Sequence, residues 1–229
     1  MIFQLLPAPS STPILSPSSS DIKRLDYNHW MIKFGDKYIE TTVTSRASDV
    51  NHWIHQTLHI HRFRLHKLLV GLDTEWSLPT KTKKHQKVAI LQLCVGFRCL
   101  IFKLCHKDRM PESLITFLGN KIFTFVGKAV QTDADKLLKD YELNVARIMD
   151  VSHMAALKYD DEGLYGMGLR RLALQFLNIE MEKSKRITLS KWDRNELSKE
   201  QIQYAAIDAF VSFKLAFKFA VEPKEAAVH

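Results

Sequence analysis

Asp73-Thr-Glu75 closes the apolar run Leu68-Leu-Val-Gly-Leu, and here residue types and spacing first suggest chemistry. Residues i and i+2 of a strand project from one face, so both carboxylates would point the same way at the strand's end. Two such charges resist ionising side by side unless a cation neutralises them. A divalent ion with a preference for oxygen ligands would do so. Alone, so common a pair reads first as two solvated acids at a strand end.

Two later segments carry further candidates. In Phe125-Val-Gly-Lys-Ala-Val-Gln-Thr-Asp133-Ala-Asp-Lys-Leu-Leu a strand ends, Gly127 permits a tight exit, and Asp133 stands near the start of a helix. An aspartate there can simply cap the helix, with Thr132 as a competing cap. The phase of Leu137 and Leu138 does not choose firmly between Asp133 and Asp135. In Tyr204-Ala-Ala-Ile-Asp208-Ala, tyrosine and aspartate lie four apart on one helical face, and Ala205 and Ala206 allow another surface to approach closely.

Taken together, Asp-x-Glu on a buried strand, Asp after Val-Gly and before Lys-Leu, and Tyr-x-x-x-Asp in the last helix resemble the three motifs of the DEDD exonuclease superfamily. The similarity runs from about residue 65 to 217, roughly two-thirds of the chain, and is strongest to small Werner-type exonucleases, particularly stand-alone plant forms. Tyrosine at 204 resembles the Tyr subgroup; the His subgroup would need histidine where Gln203 stands. The resemblance implies a ribonuclease-H-like α/β fold, a central mixed sheet flanked by helices. It also implies 3′→5′ removal of nucleotides as 5′-monophosphates, with two Mg²⁺ or Mn²⁺ held by Asp73, Glu75, Asp133 and Asp208. Tyr204 would orient the attacking water, because a phenol of ordinary pKa near 10 is a better positioner than base. The pattern departs in two places: Lys128-Ala-Val-Gln-Thr precedes Asp133 where relatives carry smaller or more acidic residues, and the basic loop 183–192 differs in spacing. The alternative from another class is a catalytically silent nucleic-acid-binding or scaffolding module with the same fold.

The substrate is expected to be single-stranded or 3′-ended DNA or RNA, and the net charge of +8 favours a polyanion. Lys183, Lys185 and Arg186, followed by Lys191 and Trp192, form one basic cluster with an aromatic that could stack on a base or equally anchor the loop to the core. Lys81, Lys83, Lys84 and Lys87 form another, and Trp76 directly follows the first motif. DNA against RNA is undecided, as is oligomeric state, with a ring-like homo-oligomer among the arrangements the resemblance allows.

Other classes fit poorly. No apolar run approaches the roughly 18 residues of a membrane span. There is no Gly-x-x-x-x-Gly-Lys-Ser/Thr loop, no His-Glu-x-x-His and no Cys-x-x-Cys. Cys94, Cys99 and Cys105 sit in apolar segments and are expected as buried free thiols of a reducing compartment. That points to an intracellular protein of nucleus or cytoplasm, with organelle targeting as the alternative.

The elements that must position these residues follow from periodicity. Residues 1–22, rich in Ser and Pro, read as a disordered tail, 23–220 as the exonuclease domain and 221–229 as a C-terminal tail. Strands are expected at Tyr38–Thr44, Leu68–Trp76, Val88–Val95, Cys99–Phe102, Ile122–Val126 and around Ile148–Val151, with a hairpin through Gly96-Phe97-Arg98. Helices are expected from Ser48, which would cap the first, at Pro111–Leu118, and near 133–140, 152–158, 168–177 and 199–219. Ser198 with Glu200 and Gln201 signals the start of the last.

Overall fold

The computed structural model describes residues 14–15, 21–79, 85–182 and 184–221. Lys81, Lys83, Lys84 and Lys183, and most of both tails, lie outside them. The centre of the sheet is an antiparallel ribbon: β5 (Leu69–Trp76), β6 (Val88–Val95) and β7 (Arg98–Phe102), joined edge to edge. Every residue of β6 is buried, as a strand covered on both faces must be. On one side the sheet continues through the antiparallel strands β2 (Ile22–Arg24), β3 (His29–Phe34) and β4 (Lys37–Thr44), with β4 parallel to β7. On the other side, parallel strands β8 (Thr124–Gly127) and β9 (Ile148–Asp150) extend it from β5. Among the described residues this is an eight-stranded mixed sheet, flanked by helices, as expected. The leading β2–β3 hairpin lies upstream of the strands legible in the sequence.

Alternation along the strands divides the interior into two cores. Val70, Leu72, Leu91, Leu93 and Phe125 face α1 (Ala47–Ile60), α2 (Glu112–Leu118) and α3 (Val130–Tyr141). Ile90, Cys94 and Val126 face α4 (Val151–Tyr159), α5 (Leu169–Leu177), the short α6 (Lys185–Thr188) and the long α7 (Lys199–Val221). Ile14–Leu15, inside the segment read as a tail, pair in parallel with Glu180–Met181. None of the described helices is long and apolar enough to cross a membrane.

Two local expectations change. Ser48 does not cap α1; the helix starts at Ala47, whose N–H is taken by Asp108 Oδ1 at 2.9 Å from a distant loop. The cysteines are not all buried thiols. The β6–β7 register sets Cys94 opposite Cys99, Cα atoms 4.2 Å apart, and the two form a disulfide, while Cys105 is exposed. By contrast α7 carries the expected capping box. Ser198 Oγ accepts from Gln201 N–H at 3.3 Å, and Gln201 Oε1 accepts from Ser198 N–H at 2.9 Å.

What matters for the site is how closely α7 lies on β5. A Cβ at Gly71 would collide with the carbonyl of Ala209, so only glycine lets the helix settle there. Asp73 and Glu75 share the face of Gly71 and therefore look toward α7. Gly71→Ala is expected to destabilise the fold by about 1–3 kcal/mol through overpacking. Gly168→Ala, with open space around its Cβ, should change little. Thermal unfolding of both variants checks this, and equal melting temperatures would contradict it.

Candidate active site

Three elements deliver acids to one end of the sheet. β5 supplies Asp73 and Glu75, α3 supplies Asp133 from its first turns, and α7 supplies Asp208 with Tyr204 one turn before it. Asp133 is buried; the other three acids and Tyr204 are half-buried. The helical phase of α3 separates the two sequence candidates. Asp133 points inward, and Asp135 is exposed and receives Gln131 Nε2 at 2.8 Å. Asp133 is not the cap either, because α3 begins at Val130 after Ala129 in a left-handed conformation.

The acids act on one another. Loss of water, then Asp133, Glu75 and Asp208 in that order, holds Asp73 well above the usual carboxylate range. Desolvation, aided by Asp208 and Asp133, pushes Glu75 up to about 9. Burial lifts Asp133 to about 7, against the Thr74 hydroxyl, which donates to Asp133 Oδ1 at 2.5 Å, and the Lys136 ammonium. Asp208 rises to about 6, desolvation being opposed by Tyr204 and Arg170. Tyr204 is driven above the ordinary phenol value by burial and then by Asp208, Glu75 and Asp73, so it stays protonated and able to donate.

Among the described residues, no three His, Cys, Asp or Glu side chains stand close enough together to hold a metal ion as they are oriented. The acids share an electrostatic neighbourhood, with Asp133 held by Thr74. Their donor set is nonetheless all oxygen, which suits a hard divalent cation that retains water and substrate oxygens.

Tyr204 and Asp208 line a cleft of about 320 Å³ together with Gly168, Leu169, Arg170, Arg171, Met181 and Glu182. Arg170 was not among the sequence candidates, nor were Thr74 and Lys136. Each owes its role to the fold: Arg170 to α5 lying beside α7, Thr74 and Lys136 to α3 lying against β5. Lys128, the departure in the second motif, is tied to Asp150 Oδ2 and Ser152 Oγ, both at 3.1 Å, and so braces the turn before α3.

The basic-loop candidates fare unevenly. Lys185 and Arg186 are exposed on α6. Trp192 is not available to stack on a base: it is only 1% exposed, its indole N–H donates to Thr188 O at 3.3 Å, and its ring lies 6.1 Å from that of Tyr204. It anchors the loop and backs the tyrosine. Gln201 ties the same loop down, its Nε2 donating to Ser190 Oγ at 2.8 Å and Lys191 O at 3.1 Å. Trp76 is half-buried, with Lys136 Nζ 4.4 Å from its ring centre.

An RNase H-like sheet with acids brought together from a central strand, from the helix after β8 and from the final helix defines a DEDD-type exonuclease domain. A family model described as 3′-5′ exonuclease matches residues 45–222, and the chain belongs to that family. It is 30% identical to exonuclease 3′-5′ domain-containing protein 2 of Drosophila melanogaster, over 80% of this chain and 30% of that protein. It is 34% identical to a 3′-5′ exonuclease of Arabidopsis thaliana, over 64% of this chain and 50% of that one. The chain thus spans half or less of these curated relatives. Among solved structures, the catalytic core of RRP6 from Trypanosoma brucei shares the fold with a TM-score of 0.62, at 15% identity over 79% of this chain and 46% of that one.

The raised carboxylate values carry a sign. Between about pH 4, near the unfolded value for glutamate, and pH 9, to which Glu75 is raised, Glu75 holds more of its proton in the folded than in the unfolded chain. Ion-free stability contributed by these acids is therefore lost as pH rises through that window. Glu75→Gln should be more stable than wild type at pH 8 in chelator, the gap closing toward pH 4. Denaturant melts of the two at several pH values test this; a gap independent of pH would refute it.

Proposed function

We propose that this chain shortens nucleic-acid strands from the 3′ end, releasing nucleoside 5′-monophosphates, with two Mg²⁺ or Mn²⁺ bound by Asp73, Glu75, Asp133 and Asp208. The observation that carries this reading is the convergence of four acids whose proximity and desolvation oppose their own ionisation. These four acids would hold a pair of divalent cations, which would relieve that opposition and supply activation of water and stabilisation of the leaving 3′ oxygen.

The protein's own groups prepare the rest. The Tyr204 phenol, kept protonated and backed by Trp192, would donate toward an attacking water and orient it, a role that supports a Tyr-subgroup reading. Asp208 is steadied between Tyr204 and Arg170. Thr74 holds the Asp133 carboxyl against β5, the strand that carries Asp73 and Glu75. The cleft beside Tyr204 and Asp208, flanked by Arg170 and Arg171, suits the terminal nucleotide and its phosphate. Lys185 and Arg186 on the outer rim are placed to meet the backbone. DNA and RNA differ by a 2′-hydroxyl, and the choice between them rests on contacts at that atom.

A 5′-labelled single strand with Mg²⁺ or Mn²⁺ provides the test, run on matched DNA and RNA. Stepwise shortening is expected, abolished by chelator and by Asp73→Ala. Tyr204→Phe should retain strand binding and lose about two orders of magnitude in rate, the scale of a misplaced proton-transfer group. Binding without shortening would instead identify a silent module.

A further inference from the structure

The face of α3 that carries Asp133 continues away from the acids. Lys136, Asp140 and Tyr141 follow at helical spacing. The C-terminal end of α3 grips the start of β6: Tyr141 Oη donates to Val88 O at 2.7 Å, and Val88 N–H donates to Asp140 Oδ2 at 2.8 Å. Asp140 Oδ1 also meets His85 Nε2 at 2.6 Å. Its side chain is only 2% exposed, so its charge is spent inward.

Two ammoniums gather on the ring so fixed. Lys87 Nζ lies 4.4 Å and Lys107 Nζ 4.7 Å from the centre of Tyr141. A cation above an aromatic face is modestly favourable, but two on one ring repel each other. Among the described residues neither forms an ion pair. Lys107 shows the cost, its pKa lowered by partial burial and by Lys87. Such a pair is relieved by an anion that bridges it.

We propose that Lys87 and Lys107, mounted on Tyr141, hold a backbone phosphate of the single-stranded substrate several nucleotides upstream of the 3′ end, with Trp76 and Lys136 between this station and the acids. The assignment rests on the exonuclease reading above. Eight residues of α3 separate Asp133 from Tyr141, about 12 Å at 1.5 Å per residue. A stacked strand advancing ~3.4 Å per nucleotide crosses that distance in about four. A dinucleotide cannot reach both ends.

Equilibrium binding in chelator, where no turnover occurs, tests the station with a fluorescent 20-nucleotide strand and a dinucleotide. Lys87→Ala/Lys107→Ala should bind the long strand roughly tenfold more weakly, with a log–log salt slope shallower by about 0.7, the value for one lost phosphate contact on a single strand. Its dinucleotide affinity should match wild type. Lys87→Arg/Lys107→Arg should restore long-strand binding, and single Lys87→Ala, at an exposed position, guards against a folding defect. Unchanged long-strand affinity and slope would overturn the assignment, as would an equal loss on both ligands. If wild type shortens strands and the double variant binds them normally, this inference fails and the exonuclease reading stands. If the lysines govern binding but wild type never shortens a strand with Mg²⁺ or Mn²⁺, the station survives and the exonuclease reading fails.

Discussion

Loss of water around Asp73, Glu75, Asp133 and Asp208, sharpened by repulsion felt at Asp73 and Glu75, is the constraint around which the molecule is arranged. Bringing four carboxylates into a desolvated corner opposes folding, and the surrounding structure must hold them there regardless. The constraint explains the choice of elements. A strand buried on both sides fixes two of the acids, and a helix at least as rigid brings in a third across the sheet. Glycine at 71 lets α7 come close enough for the fourth. Apolar cores on both faces of the sheet supply the driving force that the corner lacks.

Small polar devices then tune each acid separately. Thr74 and Lys136 moderate Asp133, and Tyr204 and Arg170 moderate Asp208, while Asp73 and Glu75 have mainly one another and the lost water. The gradient runs from the edges of the site to its centre. The most perturbed groups are those on β5, flanked by acids from both neighbouring helices. Cation binding would act most strongly where neutralising groups are fewest.

Much of this was legible in the sequence, because the acids sit at strand and helix spacings that survive folding. Asp-x-Glu at a strand end, Tyr and Asp one turn apart, and the Ser198–Gln201 start signal all depend on neighbours along the chain. The mixed sheet followed from apolar runs of strand length. What escaped detection is non-local. Asp108 caps α1 from sixty-one residues away, and Arg170 reaches Asp208 only because α5 lies beside α7. The cysteine pairing depended on hairpin register. For Trp192 the neighbouring lysines left stacking and anchoring equally open, and only the packing of the loop decides for the anchor. Asp133 and Asp135 could be separated only by the true phase of α3.

Gln201 offers a last consequence. This one buried side chain both closes the start of α7 and fastens the turn at Ser190–Lys191, while Trp192 plugs that turn into the core behind Tyr204. Lifting the turn would break contacts at the root of the catalytic helix itself. The rim on this side therefore behaves as a fixed wall rather than a lid. Tyr204 and Asp208 thus keep their place against this wall through contacts within one helix and the turn before it.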